Sequence, residues 1–234
     1  MRLLVSVRDG REAEDAIRAG ADLIDLKDPS SGALGALDPA AIRAILGLVA
    51  GRRPVSATTG DLPSEPARLS AAAERIAATG VDFVKIGFWP GPRRAAAVAR
   101  LGAELSGRTR LIGVLLADAD ADLALLPRMA EAGFRGAMLD CARKGASLPQ
   151  RLGPAALARF VDEAHARGLT AGLAGSLDIR DVARLAPLRP DILGFRGGLC
   201  SGGRTGPLDP AAVRRAAEAI EAAGRAIAAP AAAH

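Results

Sequence analysis

Strand-like and helix-like segments alternate eight times along this chain, and that alternation restricts its fold more than any other feature. Short apolar runs at 2–7 (RLLVSV), 23–28 (LIDLKD), 54–60, 83–89 (FVKIGFW), 110–118, 136–142 (GAMLDCA), 169–177 and 191–198 read as strands. Between them lie Ala- and Arg-rich stretches with helical spacing. Their punctuation agrees: Asp38 caps and Pro39 opens a helix over 38–49, while Ser64 is the expected cap and Gly80 the expected stop of a helix over 64–80. Strands alternating with helices build a parallel sheet covered by helices. Eight such units within 234 residues predict one closed (β/α)₈ TIM barrel over residues 1–225, followed by a loose tail over 226–234.

Composition narrows the function. No apolar run approaches the ~18 residues of a membrane span, and the start MRLLVSVRDG reads as a strand where a signal peptide would need a long apolar stretch. A cytoplasmic protein without membrane contacts is expected. The net charge is +5, but the basic residues are scattered along helices, and with no Tyr, one Trp and five Phe there is little for nucleobases to stack on. Nucleic acid is therefore not an expected partner; small anionic metabolites suit the charge better, and a homo-oligomer is compatible with everything read here. Cys141 and Cys200 form no CxxC pair, and the only histidines are His165, in the helical stretch FVDEAHARG, and His234. No metal site and no Ser-His-Asp triad is expected. The loops hold neither GxGxxG after the first strand nor GxxxxGK[ST], so no dinucleotide cofactor is expected.

The lysines carry the strongest chemical signal. Of 31 basic residues only Lys27, Lys85 and Lys144 are lysine. Arginine keeps its proton and cannot act as an amine nucleophile. A lysine retained against so strong a bias is a candidate amine. Lys27 ends strand 2, Lys85 lies in strand 4 and Lys144 follows strand 6, which maps all three toward the catalytic end of this fold. Alternation along strand 2 puts Asp25 and Lys27 on one face, and inward residues of alternate strands share layers, so Asp25, Lys27, Lys85 and Asp140 should meet in one pocket. A plain buried salt-bridge network would explain the same four residues. The chemical reading is a reactive amine: a neighbouring cation or partial desolvation frees a lysine amine to attack a carbonyl. Lys85 is the expected cation beside Lys27, and Asp25 and Asp140 the expected proton carriers.

The last two strands carry a second signal. Gly172, Gly175 and Ser176 end strand 7, and strand 8 runs into FRGGLCSGGRTG, with Gly197, Gly198, Gly202, Gly203 and Arg204. Loops after strands 7 and 8 are the usual phosphate site of this fold, and glycine lets backbone N–H groups approach phosphate oxygens. Gly172, Gly175, Ser176, Gly197 and Gly198 are the expected phosphate ligands, although tight turns alone would also use glycines.

Taken together, LIDLKDPSSGALGA, PVSATTGD, FVKIGFW, GAMLDCARKGASL, GLAGSL and ILGFRGGLCSGGR resemble the (5-formylfuran-3-yl)methyl phosphate synthases, also called 4-hydroxymethyl-2-furancarboxaldehyde phosphate synthases, from residue 1 to about 225. The resemblance implies that two molecules of glyceraldehyde 3-phosphate condense into a furan aldehyde phosphate for methanofuran-type cofactors. It places the family's Schiff-base lysine on Lys27, its partner aspartate on Asp25, its second lysine on Lys85 and its strand-6 aspartate on Asp140. Asp28 stands where the family more often has Asn, and ARKGASL replaces a longer acidic stretch after MLD. An ordinary class I aldolase for another triose phosphate would share Lys27 and the phosphate loops. A non-catalytic phosphometabolite-binding barrel would share only the loops. A triose-phosphate isomerase proper is disfavoured, because no His or Glu stands at a suitable strand end; the resemblance itself implies that one triose phosphate isomerises toward dihydroxyacetone phosphate before the two condense.

Overall fold

Eight parallel strands, β1 (Arg2–Val7), β2 (Leu23–Leu26), β3 (Val55–Thr58), β4 (Phe83–Phe88), β5 (Arg110–Leu116), β6 (Gly136–Asp140), β7 (Thr170–Leu173) and β8 (Ile192–Phe195), close in sequence order, with β8 pairing back to β1. They form the expected (β/α)₈ barrel. The structure is a computed structural model and describes residues 1–143 and 145–228. Helices α1 (Gly10–Arg18), α2 (Pro39–Val49), α3 (Pro66–Ala77), α4 (Arg94–Leu105), α5 (Leu125–Glu131), α6 (Leu148–Arg151), α7 (Pro154–His165), α8 (Asp181–Leu185) and α9 (Pro210–Ala228) lie in the connections. Helix α9 reaches Ala228, three residues beyond the boundary expected from the alanine-rich tail; alanine is the best helix former, so low complexity there does not end the helix.

Two apolar layers hold the barrel. The larger fills the space between strands and helices and includes Val5, Ile24, Ile86, Phe160, Leu193 and Val213. The smaller lies inside the barrel and includes Leu4, Leu23, Ile112, Val114, Met138 and Ile192. Strands buried on both faces read as continuous apolar runs, which explains their weak alternation in the sequence.

Capping follows the sequence in one helix and departs from it in another. The Asp38 carboxylate accepts from the Ala40 N–H, with Pro39 in the first turn of α2. Ser64 does not cap α3: the cap position is Glu65, without a side-chain bond, and Ser64 Oγ donates to the Trp89 carbonyl at 2.7 Å instead. Ser64 thereby ties the loop after β3 to the loop after β4 at the C-terminal mouth. Several strands also end earlier than the apolar runs: β7 stops at Leu173 and β8 at Phe195, and the residues beyond them turn over the mouth.

Candidate active site

The C-terminal mouth is half closed. The loop after β2 turns on Asp28, whose carboxylate accepts from Ser30 N and from both serine hydroxyls, Ser30 and Ser31; these bonds hold its pKa below the ordinary carboxylate value. Asp61 accepts from the N–H groups of Ala33 (2.6 Å) and Leu34 (3.0 Å). Thus pinned, Leu34 is fully buried inside the barrel mouth, against Gly87 of β4. The other half of the mouth stays open as a cavity of about 250 Å³, lined by Lys27, Lys85, Asp140, Gly175, Ser176 and Arg204, among others.

Lys27, Lys85 and Asp140 line that cavity together and are nearly buried, at 7%, 3% and 4% exposure. Asp25 lies behind them, fully buried, and accepts from Ser6 Oγ (2.9 Å), Ser56 Oγ (2.6 Å) and Lys85 Nζ (3.0 Å). Burial alone would raise the Asp25 pKa, but the charges of Lys85 and Lys27 and the bonds from Ser56 and Lys85 outweigh it and hold the carboxyl below its ordinary value. Asp25, expected as a proton carrier, is here the anion of a buried ion pair with Lys85. Lys85, expected as a cation acting on Lys27, is itself one half of a buried ion pair. Asp140 Oδ1 accepts from the Cys141 N–H at 2.7 Å, and its charge is felt by Arg204 across the cavity. The third lysine, Lys144, lies outside the described residues.

Opposite the lysines stand the turns after β7 and β8. Gly175 (φ +110°) and Ser176 (φ +51°) are left-handed; such a conformation is uncommon for a residue with a side chain and clusters at functional sites. Gly197 and Gly198 begin a short 3₁₀ turn, Gly197–Leu199. Among the described residues, no turn or loop hydrogen bond uses the N–H of Gly175, Ser176, Gly197 or Gly198. Those four residues line the cavity. Gly172 does not: it lies within β7, against Met138, and lines a different cavity at the other end of the barrel.

The β8 turn owes its shape to residues the sequence did not single out. Arg196 is buried, and its guanidinium donates to the carbonyls of Arg204 (2.8 Å) and Gly206 (3.0 Å) and to both carboxylate oxygens of Glu12. Glu12, on the buried face of α1, also accepts from Arg8 N and Leu208 N. One buried ion pair thus fixes both ends of the loop 197–208. The only signal in the sequence was a Glu on the apolar side of a short helix. Arg204 reaches over the cavity to the Gly32 carbonyl at 2.6 Å, joining the β8 and β2 loops. Among the described residues, no three His, Cys, Asp or Glu side chains gather as a metal set, and no helix is long and apolar enough to cross a membrane.

A barrel with two lysines, an aspartate and a glycine-turn cradle around one cavity is equipped for carbonyl chemistry on a phosphorylated substrate. Solved barrels of the same shape include 3-hexulose-6-phosphate synthase from Salmonella typhimurium (TM-score 0.68, 15% identity, covering 95% of this chain and 100% of that one) and phosphoribosyl anthranilate isomerase from Thermus thermophilus (0.65, 18%, 95% and 99%). At these identities the likeness is one of fold. Sequence relatives are nearer. A protein of Methylorubrum extorquens is 50% identical over 230 residues, 97% of this chain and 95% of its own length. The (5-formylfuran-3-yl)methyl phosphate synthases of Methanopyrus kandleri and Methanocaldococcus jannaschii are each 38% identical, covering 94% and 87% of this chain and 98% and 92% of their own. The family model described as 4-HFC-P synthase matches residues 3–217, and the chain belongs to that family of enzymes.

Proposed function

We propose that this enzyme condenses two molecules of glyceraldehyde 3-phosphate into (5-formylfuran-3-yl)methyl phosphate through a Schiff base on Lys27, as a carbon–oxygen lyase supplying methanofuran-type cofactors. The observation that carries the reading is the convergence of Lys27, Lys85 and Asp140 on one cavity that faces the Gly175–Ser176 and Gly197–Gly198 turns. The names of the relatives supply the product.

The overall balance is two triose phosphates losing one phosphate and two waters. Lys27 attacks a triose carbonyl, and water leaves to form the iminium. The iminium draws electrons from the adjacent carbon, so that Asp140 takes its proton and a phosphate departs from the next carbon. Loss of phosphate leaves an enol, nucleophilic at the carbon that carried the phosphate; that carbon attacks the ketone of the second triose, isomerised to dihydroxyacetone phosphate, whose free hydroxyl then closes the ring. Two waters leave as the furan forms, and hydrolysis of the imine releases Lys27. Asp25 holds Lys85 in place by their 3.0 Å ion pair, where the ammonium offsets negative charge developing on oxygen. The open N–H groups of the two turns and Arg204 hold the phosphates.

The test is mass spectrometry of the product from pure enzyme and glyceraldehyde 3-phosphate alone. A furan aldehyde phosphate supports the reading. Recovery of an unbranched aldol adduct as the only product would replace it with that of an ordinary class I aldolase.

A further inference from the structure

The N-terminal mouth of the barrel holds a second cavity, of about 400 Å³, reaching inward to Lys85 from the side opposite the catalytic one. Its depth follows from Gly172: the inward position of β7 carries no side chain where β1 and β6 carry Leu4 and Met138. Leu23, Phe83, Ile112 and Ile192 make its walls apolar, and Arg2, Arg110 and Arg135 stand around its rim at the starts of β1, β5 and β6.

These arginines make few direct ion pairs. Arg110 lies over the Phe83 ring, 5.5 Å from its centroid, and reaches Asp82 only at 4.0 Å. Among the described residues, neither Arg2 nor Arg135 takes part in an ion pair. The nearby carboxylates do not line the cavity: Asp22, Asp82 and Asp191 accept from the N–H groups of Leu3, Val55 and Ala171 at 2.8 Å each, and Asp191 also meets His165. Three guanidiniums and, among the described residues, no carboxylate line this concave vestibule, so positive charge faces its interior. Their planar forks match phosphate oxygens, while apolar walls favour a ligand with a carbon body.

We propose that this N-terminal vestibule is a second binding site, taking a small phosphomonoester with an aromatic or other apolar body, separate from the catalytic cavity. The proposal is independent of the Schiff-base reading, because it concerns binding at the far end of the barrel.

Phenyl phosphate is the probe, with binding followed by calorimetry on the full-length protein. Arg110→Ala/Arg135→Ala removes two rim cations that are exposed, and unfolding scans confirm that the variant folds. Gly197→Asp places a carboxylate in the catalytic cavity and leaves the vestibule untouched. The expected result is a site that persists in Gly197→Asp and weakens about tenfold or more in the arginine variant, the loss that removing charged hydrogen-bond donors produces. Binding that stays within about twofold in the arginine variant, or a wild type that binds no phenyl phosphate at millimolar concentration, overturns the proposal.

Discussion

Lys85 Nζ stands 3.0 Å from Asp25 Oδ1, an ion pair between β4 and β2 with both side chains essentially sealed from solvent. Such a pair contributes little net stability while intact, because desolvation offsets the attraction, but breaking it strands a buried charge at a cost of about 3–5 kcal/mol. Asp25→Asn should therefore lower unfolding free energy by that order and reduce turnover together. The pH dependence has a definite sign. The Asp25 pKa is depressed below its ordinary 3.8, so its stabilisation is complete above that value and disappears as pH falls through the lower folded value. Urea titrations of wild type and Asp25→Asn should differ by a constant amount from neutrality to about pH 4 and converge in stronger acid. A gap that persisted unchanged below that pH would show that the charge on Asp25 is not what stabilises the barrel.

The barrel and the lysine cluster were legible because both depend on periodicity and chemistry that the chain displays locally. Alternating strands and helices define the closed sheet, and the strand ends bring Lys27, Lys85 and Asp140 to one cavity. Asp25 was legible as a neighbour of the lysines but not in its surroundings, since it lies behind the cavity lining and its carboxylate accepts from Ser6 and Ser56 on the two flanking strands. Gly172 groups in the sequence with Gly175 and Ser176 at the end of an apolar run through 177, but β7 stops at Leu173, which leaves Gly172 inside the strand and the other two in the turn. Glu12 and Arg196 were silent: they meet across more than 180 residues, and neither has a motif of its own.

Glu12→Gln should expose the importance of that pair. The amide keeps the shape but leaves Arg196 buried without its counter-charge, a loss of about 3–5 kcal/mol. The loop 197–208 then loses its anchor, so KM should rise more than kcat falls. Unfolding midpoints and steady-state kinetics read the two effects. Unchanged KM in a destabilised Glu12→Gln protein would confine the pair to a structural role.

The two glycines of the β8 turn should respond differently to the same substitution. A Cβ at Gly198 would run into the Leu177 carbonyl, whereas one at Gly197 makes ordinary contact with Arg204, nearest at 3.5 Å from its Cβ. Gly198→Asp should destabilise the turn itself. Gly197→Asp and Ser176→Asp should fold and raise KM by setting a carboxylate against the substrate phosphate. Normal KM in both of the latter would remove the phosphate assignment from these turns.

Asp140→Asn tests proton transfer in the cavity. It preserves size and the bond from Cys141 N–H while removing the base. Positioned acid–base groups contribute roughly 10²–10⁴-fold, so kcat should fall within that range at near-normal KM. A loss below about tenfold would make Asp140 a charge partner of the surrounding cations, among them Arg204, with no part in proton transfer.

Lys27 is where the covalent step stands or falls. It follows β2 directly, its N–H bonded to the Val7 carbonyl at 3.1 Å, and its side chain is nearly buried in the wall of the catalytic cavity. Lys27→Arg keeps a cation of similar length at that place and abolishes the capacity to form an imine. A purely electrostatic role for Lys27 predicts substantial activity in this variant; a Schiff base predicts almost none. Borohydride added with glyceraldehyde 3-phosphate should fix the imine as a stable mass increment on the peptide carrying Lys27, and the arginine variant should show no such label. Lys85, paired with Asp25, should stay unmodified in the wild type. If the label falls on Lys85 and Lys27→Arg retains turnover, the nucleophile is the strand-4 lysine, and the ion pair with Asp25 must open during the reaction.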